Sequence, residues 1–198
     1  MKTIYTIGYS TYDINTFIST LKNNNIAAIA DVRSSPYSKF KPEFNREFLA
    51  EVLKKNRLYY VFLGDELGAR SKDNSCYIDG RADHQLISQS VLYKKGIERI
   101  LKGLENYTIA LMCAEADPIT CHRNILICRT LKKNNIEIKH ILSEGKVENN
   151  SFTEERLLHE YSLEKNDMFM TYDEALNIAY DKRSFHIAFR TGEIDNDE

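Results

Sequence analysis

The chain has 198 residues, of which 42% are hydrophobic and 28% are charged, as in an ordinary globular protein. This length suits one domain, or one domain with an extension. No apolar run approaches the roughly 20 residues that cross a bilayer, and the first residues lack the regions of a signal peptide. We therefore expect a cytoplasmic protein without a membrane partner, whose four cysteines are reduced.

Charge is distributed unevenly along the chain. Residues 144–198 carry 14 acidic residues and 6 Lys/Arg, whereas residues 1–143 carry 15 acidic residues and 21 Lys/Arg. A basic body favours an anionic partner, either an anionic small molecule such as a nucleotide or a nucleic acid. Solubility alone explains the same imbalance equally well.

The order of the predicted elements indicates an α/β protein. Five runs of apolar, β-branched or aromatic residues have the length of buried strands: 3–7, 26–32, 58–63, 108–113 and 136–142. Between them, apolar residues recur at helical spacing in three segments: 13–23, 44–56 and 86–104. This alternation predicts a Rossmann-like open sheet, mostly parallel, with helices on both faces.

A further helix is predicted after the fourth strand. Asp117 is a good N-cap, and Pro118 then occupies the first helical position, where its missing N–H costs nothing. The helix should run to about residue 134, with Lys132 and Lys133 at its C-terminal end.

The acidic C-terminal part is predicted to be mostly helical. Residues 152–163 have helical spacing, and Thr171 and Glu174 fit a capping box that opens a second helix. Residues 184–191 are predicted to form a short strand, and residues 192–198 to fray.

In open α/β sheets, ligands bind outside the carboxyl ends of the strands, so the segments after the strands are the candidate site. After the first strand, Gly8 allows close approach of a ligand to the backbone, and Ser10 follows it. After the third strand, Arg70 follows a glycine turn and is a candidate for binding phosphate or carboxylate.

The second strand leads into a loop rich in polar residues. Asp31 ends the apolar run, and Arg33 points to the same side if the chain stays extended. Together with Ser38 they form a candidate site, in which Asp31 is a catalytic candidate and the other two bind ligand. A buried ion pair that fixes the loop is the alternative.

The segment after the fourth strand carries the most reactive side chains. Glu115 is a candidate general acid or base, and Arg123 a candidate ligand for an anion near a helix N-terminus. Cys121 is a candidate nucleophile, with His122 as a second catalytic candidate. Adjacent residues of one helix do not face each other, so His122 is expected to be a poor direct partner for Cys121.

Metal and cofactor motifs are weak or missing in the sequence. Cys113, Cys121 and His122, with His84 or His140, contain zinc-ligand types, but the separation of the two cysteines is unusual for structural zinc. The sequence has no Walker loop, GxGxxG or HExxH motif. We therefore assign no metal ligands and expect no cofactor.

Several strings of the sequence resemble a known family. TIGYS (6–10), DVRSSPYS (31–38), LGAR (67–70), CAEADPITCHR (113–123) and KHI (139–141) occur in order. Together they resemble the bacterial and archaeal family called domain of unknown function 488, over roughly residues 1–162, with 163–198 as an acidic extension packed on it or following it. The resemblance implies a compact Rossmann-like α/β domain.

The family pattern is matched at nine positions: Asp31, Arg33, Pro36, Ser38, Arg70, Glu115, Cys121, His122 and Arg123. Two positions depart from it. Tyr9 stands where many members have histidine, and Ala69 stands where a second glycine is common. The family has no settled activity, so the resemblance implies a fold and a site rather than a reaction.

Three functions remain open. The first is an enzyme acting on a phosphorylated ligand, a nucleotide or nucleic acid, for example by N-glycosidic hydrolysis with carboxylate acid/base catalysis. The second is a non-enzymatic regulatory module that binds an anion or a nucleic acid. The third is cysteine-dependent transferase or redox chemistry at Cys121.

Overall fold

The computed structural model describes residues 1–163 and 170–192. The predicted frayed end at 192–198 lies outside these residues apart from Gly192. The described chain contains eight strands: β1 (Thr3–Gly8), β2 (Ala28–Asp31), β3 (Tyr59–Phe62), β4 (Tyr77–Ile78), β5 (Arg81–Ala82), β6 (Ile109–Cys113), β7 (Glu137–Ile141) and β8 (Val147–Asn149).

Helices connect these strands. The described α-helices are α1 (Ile14–Asn23), α2 (Arg46–Lys55), α3 (Gly64–Leu67), α4 (His84–Gln89), α5 (Val91–Gly103), α6 (Arg129–Lys133), α7 (Asn150–Glu160) and α8 (Tyr172–Ile187). Short 3-10 helices lie at Pro42–Phe44, Asn74–Cys76, Pro118–Thr120 and Ser143–Gly145, and a π-helix spans Arg123–Cys128.

The main sheet has six strands in the order β3-β2-β6-β1-β7-β8. The first five are mutually parallel, and β8 pairs antiparallel with β7 at one edge. The predicted α/β fold with a mostly parallel, Rossmann-like sheet is therefore confirmed. All five predicted strands are present, whereas β8 and the small β4–β5 pair were not predicted.

Helices cover both faces of the sheet, which explains why its central strands are mostly apolar on both faces. Phe17 of α1 and Leu49 of α2 pack on one face, against residues such as Ile29 and Met112. The other face holds α5 and the π-helix with α6, which pack on alternate strand residues including Leu111. The core therefore has two layers of side chains, one on each side of the sheet.

The predicted helix over 86–104 is two helices in the structure. Ser90 has an extended conformation, with ψ of 149°, and interrupts the helical spacing between α4 and α5. Its hydroxyl accepts a hydrogen bond from the Tyr93 N–H at 3.2 Å and so caps α5. The break has a physical cause, because a serine cap satisfies the N–H groups of a new helix.

The predicted continuous helix from Asp117 to about residue 134 is wrong. Asp117 does cap a helix, but only the single 3-10 turn Pro118–Thr120 follows. Cys121 is then extended, with φ −129° and ψ 138°, and its carbonyl accepts hydrogen bonds from the N–H groups of Asn124 and Ile125. A second helical segment therefore starts directly after Cys121, as the π-helix that continues into α6.

The C-terminal part contains α7 and α8. The predicted capping box is confirmed, because the side chains and backbone of Thr171 and Glu174 bond each other reciprocally. The predicted strand at 184–191 is wrong, since α8 continues to Ile187 and only Arg190 forms an isolated bridge, to Arg81. Apolar residues of α8 pack with those of α7 and with Ile125. No helix among the described residues combines the length and apolarity needed to cross a bilayer.

Candidate functional site

A cavity of about 640 Å³ opens at the carboxyl edge of the sheet. β1 and β6 are neighbours, yet the chain leaves β1 toward the face of α1 and leaves β6 toward the face of α6. A crevice opens where neighbouring strands send their connections to opposite faces. The lining comes from the segments after β1, β2, α3 and β6 and from residues 186–189.

Asp31 and Arg33 form a buried ion pair after β2. The Asp31 carboxylate accepts hydrogen bonds from Arg33 Nε at 2.9 Å and from Arg33 Nη2 at 2.7 Å. It also accepts one from the Tyr60 hydroxyl at 2.7 Å, and the Asp31 side chain is fully enclosed. Asp31 thus fixes the arginine and is not part of the cavity wall.

Arg33 lines the cavity, and one of its guanidinium nitrogens makes no hydrogen bond to the described residues. Its Nη2 also donates to the Phe44 carbonyl, and its guanidinium carbon lies 4.9 Å from the Tyr9 ring centroid. Only 4% of the side chain is exposed, and Nη1 has no hydrogen-bond partner within the described ranges. A buried guanidinium donor without a partner is costly unless something accepts from it.

Hydroxyl groups and two further cations complete this side of the wall. Ser34 Oγ accepts a hydrogen bond from the Arg70 N–H at 3.0 Å, and the Ser38 N–H donates to Asn45 Oδ1. The Arg70 guanidinium lies over the Phe189 ring, 4.7 Å from its centroid. Ser10, Ser38 and Arg70 line the cavity, as does Lys41, whose amine donates to the Tyr12 carbonyl.

Gly8 and Arg123 hold the segment that carries Glu115. A Cβ on Gly8 would lie 1.7 Å from the Glu115 carbonyl oxygen, so glycine is required for this close approach. Arg123 is fully buried, and it donates from Nη1 to the Glu115 carbonyl at 2.6 Å and from Nη2 to the Ala116 carbonyl at 3.1 Å. Neither residue lines the cavity, so the structure does not bring them to a ligand there.

The Glu115 side chain stands in the cavity wall. The residue as a whole is exposed, yet neighbouring protein displaces water from around its carboxyl. Burial by this protein, followed by the negative charge of Cys121, raises the pKa of Glu115 to about 7. Among the described lining residues, Glu115 is the only carboxylate.

Two cysteines and a histidine form a compact cluster beside Glu115. His122 Nδ1 lies 3.8 Å from Cys113 Sγ and 3.9 Å from Cys121 Sγ, and His122 Nε2 lies 3.0 Å from the Val32 carbonyl oxygen. The expectation that His122 is a poor partner for Cys121 is wrong, because Cys121 is extended rather than helical. Cys113 and His122 line the cavity, whereas Cys121 is 1% exposed and does not.

The two thiols shift each other's pKa in opposite directions. The hydrogen bond to Cys121, with burial, raises the pKa of Cys113 well above its usual value. Burial acts to raise the pKa of Cys121 as well, but the hydrogen bond from Cys113 and the charge of Arg123 lower it well below its usual value. Against burial, Cys121 raises the pKa of His122.

Two histidines considered as further metal ligands, His84 and His140, are not part of the cluster formed by Cys113, Cys121 and His122. His140 is bound to Thr6 Oγ1 through Nδ1 at 2.8 Å and to Asn150 Oδ1 through Nε2 at 2.9 Å. His84 lines a second cavity, of about 650 Å³, and neither of its ring nitrogens has a partner in the described part of the chain. The cluster therefore consists of Cys113, Cys121 and His122.

Several wall residues were not among the predicted site residues, although Tyr9 is one of the two departures from the family pattern. Tyr9, Ser34, Ser35 and Lys41 follow the first two strands, so the rule that ligands bind at strand ends would have found them. Phe189 comes from the C-terminal segment, and no pattern in the sequence connects it to the cavity. Its carbonyl accepts from the Ala82 N–H at 2.8 Å, which ties this segment to β5.

The fold and the site define a Rossmann-like α/β protein with a polar cavity at the topological switch of its sheet. The sequence model of the family described as Domain of unknown function DUF488 matches residues 13–130 of the chain. The chain belongs to this family, which confirms the resemblance found in its motifs. No curated protein and no solved structure matched the chain.

Proposed function

We propose that the protein is an enzyme acting on a phosphorylated ligand, a nucleotide or a nucleic acid, and that the Glu115 carboxyl is its acid/base catalyst. The composition of the cavity wall carries this proposal. The wall combines Arg33, Lys41 and Arg70 with one carboxylate among the described residues. Such a wall favours an anionic group beside a single proton-transfer group.

The cationic side of the cavity is the proposed phosphate subsite. The unpartnered Nη1 of Arg33 and the guanidinium of Arg70 supply charged donors, and the hydroxyls of Ser10 and Ser38 supply neutral ones. Asp31 keeps Arg33 rigid, so the arginine binds without losing much side-chain entropy. Arg123 acts as a positioning residue, since it holds the backbone of Glu115.

The reaction to test first is hydrolysis of an N-glycosidic bond. Glu115 would protonate the leaving base or deprotonate the attacking water, while the arginines hold the phosphate. Replacing the Glu115 carboxyl with a group that cannot titrate should abolish turnover and leave ligand binding intact. Glu115→Gln keeps the shape of the side chain and is the appropriate variant.

Binding and turnover are measured separately on the purified chain. Inorganic phosphate, nucleoside monophosphates and short single-stranded DNA are titrated by calorimetry, and base release is followed by chromatography. Arg70→Ala should weaken binding at least tenfold, because a hydrogen bond to a charged group contributes about 1.5–3 kcal/mol. Lys2→Ala removes a positive charge at the amino end of β1 and serves as the control.

Three outcomes decide between the candidates. Turnover that is lost in Glu115→Gln, with binding weakened only in Arg70→Ala, supports the enzyme. Binding without turnover in the wild type supports the regulatory module, for which residues 186–189 at the cavity wall provide a point of control. Turnover that survives in Glu115→Gln but stops in Cys121→Ala supports cysteine chemistry, the candidate favoured by the contact between Cys121 and His122.

A further inference from the structure

Cys113, Cys121 and His122 bring three metal-ligand atoms together on one side of the sheet. Their donor atoms lie within 4.8 Å of one another, and all three residues are buried. Thiolate and imidazole are the ligands that zinc prefers, and three protein ligands with an open fourth position are typical of catalytic zinc. We infer that these three residues bind one Zn²⁺ ion.

The distances in the cluster suit a tetrahedral ion. Zinc–sulfur bonds of about 2.3 Å and zinc–nitrogen bonds of about 2.0–2.1 Å place tetrahedral N and S ligands about 3.6 Å apart. The observed distances from His122 Nδ1 to the two sulfur atoms are 3.8 and 3.9 Å. Small rotations of the side chains therefore bring all three atoms into contact with a central ion.

The orientation of His122 is that of a metal ligand. The Val32 carbonyl only accepts hydrogen bonds, so the proton on the ring must sit on Nε2, which lies 3.0 Å from it. This leaves Nδ1 facing the two sulfur atoms. Histidine ligands of metals are held by such a bond from the other ring nitrogen to a carbonyl.

A backbone hydrogen bond also orients the sulfur atom of Cys121. The Arg123 N–H donates to Cys121 Sγ at 3.4 Å, because the extended conformation of Cys121 turns its sulfur toward the start of the following helix. Two thiolates balance the charge of Zn²⁺, so the loaded site is neutral and its burial costs little. Zinc binds the thiolate form of cysteine, so loading releases to solvent any proton that the thiols still carry.

The open coordination position faces the cavity. Cys113 and His122 belong to the cavity wall and Cys121 lies behind them, so the ion sits at the wall next to Glu115. A bound water there would be accessible to a ligand in the cavity. The zinc site does not depend on the proposed phosphate ligand, and either inference survives the failure of the other.

Cobalt and zinc binding to the full, untagged chain test this inference. The reduced protein is stripped with a chelator and titrated with Co²⁺, whose thiolate charge-transfer and tetrahedral d–d absorption report on the ligands. We expect one equivalent to bind, with both signals abolished by one equivalent of Zn²⁺. Zinc content of the protein as purified from zinc-supplemented medium is measured by mass spectrometry and should approach one per chain.

Cysteine variants assign the ligands. Cys113→Ala and Cys121→Ala should each weaken Co²⁺ binding at least tenfold and reduce the charge-transfer intensity. Cys128→Ala is the matched control, since Cys128 is fully buried in the π-helix outside the cluster. It should leave both signals unchanged.

Two results would overturn the inference. The first is wild-type protein that holds no zinc and develops no thiolate–cobalt absorption while its thiols are reduced. The second is binding that persists unchanged in the two ligand variants. The wild-type measurements stand even if a variant fails to fold.

Discussion

Gly8 has no side chain, and the Glu115 backbone fills the space that a Cβ would occupy. The distance of 1.7 Å between that Cβ and the Glu115 carbonyl oxygen cannot be relieved by a side-chain rotation, because the opposing atom is backbone. We expect Gly8→Ala to lower the free energy of unfolding by about 1–3 kcal/mol or more, measured by urea denaturation. Because the displaced Glu115 backbone belongs to the cavity wall, Gly8→Ala should also weaken the binding of any ligand in the cavity.

Gly103 provides the matched control for this substitution. A Cβ there would lie 2.8 Å from Ile109 Cδ1, the flexible end of a side chain that can move aside. Gly103→Ala should change stability by less than about 1 kcal/mol. Equal losses in the two variants would contradict the assignment of Gly8 to a close backbone approach.

His140 is a buried neutral imidazole whose titration contributes to stability. Burial lowers its pKa to about 4, and the hydrogen bond with Asn150 opposes this shift only in part. The charges of Arg123 and Arg156 lower this pKa further, and that of Glu148 raises it. The unfolded chain titrates near 6.5, so acid favours unfolding.

The sign of this linkage fixes a pH window. The stabilising contribution of neutral His140 is complete above about pH 6.5 and is lost as the pH falls toward about 4, by up to about 3 kcal/mol. His140→Gln has no titrating group, so its stability should fall less steeply between pH 6.5 and 4, whatever its stability at pH 7. Parallel curves from urea titrations of both proteins would rule out this role.

At the scale of elements, the N-terminus of α8 is fixed by hydrogen bonds between residues close together in the sequence. Thr171 and Glu174 form the capping box that the sequence predicts, because all of its atoms belong to four consecutive residues. Thr171→Ala should lower the free energy of unfolding by about 1 kcal/mol. Thr171→Ser keeps the hydroxyl and should retain most of the stability, and a loss as large as that of Thr171→Ala would refute the capping role.

One continuous helix was predicted from Asp117 to about residue 134, and the structure breaks it at Cys121 for a non-local reason. Asp117 and Pro118 start a helical turn, as their local chemistry dictates. The turn ends at Cys121, and the chain then places Arg123 so that it donates to the carbonyls of Glu115 and Ala116, which follow β6. These tertiary contacts are not encoded in the local sequence. The contact of Cys121 with His122 follows from this break, so sequence spacing could not reveal the cluster.

The strands were predictable, and so was the end of the sheet that holds the site. Strands covered on both faces are mostly apolar on both, which made β1, β2 and β6 visible in the sequence. Polar residues after those strands marked the cavity. The edge strand β8 has only three residues and pairs with the preceding strand β7, so it is too short to give a strand pattern in the sequence. The hydrogen bond of Phe189 joins it to Ala82, more than 100 residues away, and the sequence carries no signal for it.

At the scale of the whole molecule, α8 packs as part of the core. Leu176 is 5% exposed and packs with apolar residues of α7 and the π-helix. Leu176→Ala should lower the stability of the entire chain by about 2–4 kcal/mol, because a buried leucine is lost. The measurement is urea unfolding followed by helix content and by alkylation of Cys113 in the sheet.

Ile178→Ala, on the exposed side of the same helix, is the control and should change stability far less. If Leu176→Ala changed helix content while leaving the protection of Cys113 intact, α8 would unfold alone. The acidic C-terminal part would then behave as a detachable extension.

The strand order has a consequence for synthesis on the ribosome. β1 and β2 flank β6 and do not pair with each other, so Tyr5 meets Ala110 only after more than half of the chain has been made. A nascent chain ending before β6 holds strands whose central partner is missing, with apolar surface exposed. Folding thus waits for a late strand, and contacts of such long sequence separation make it slow. During this delay the surfaces that β6 later covers are open to aggregation with other chains.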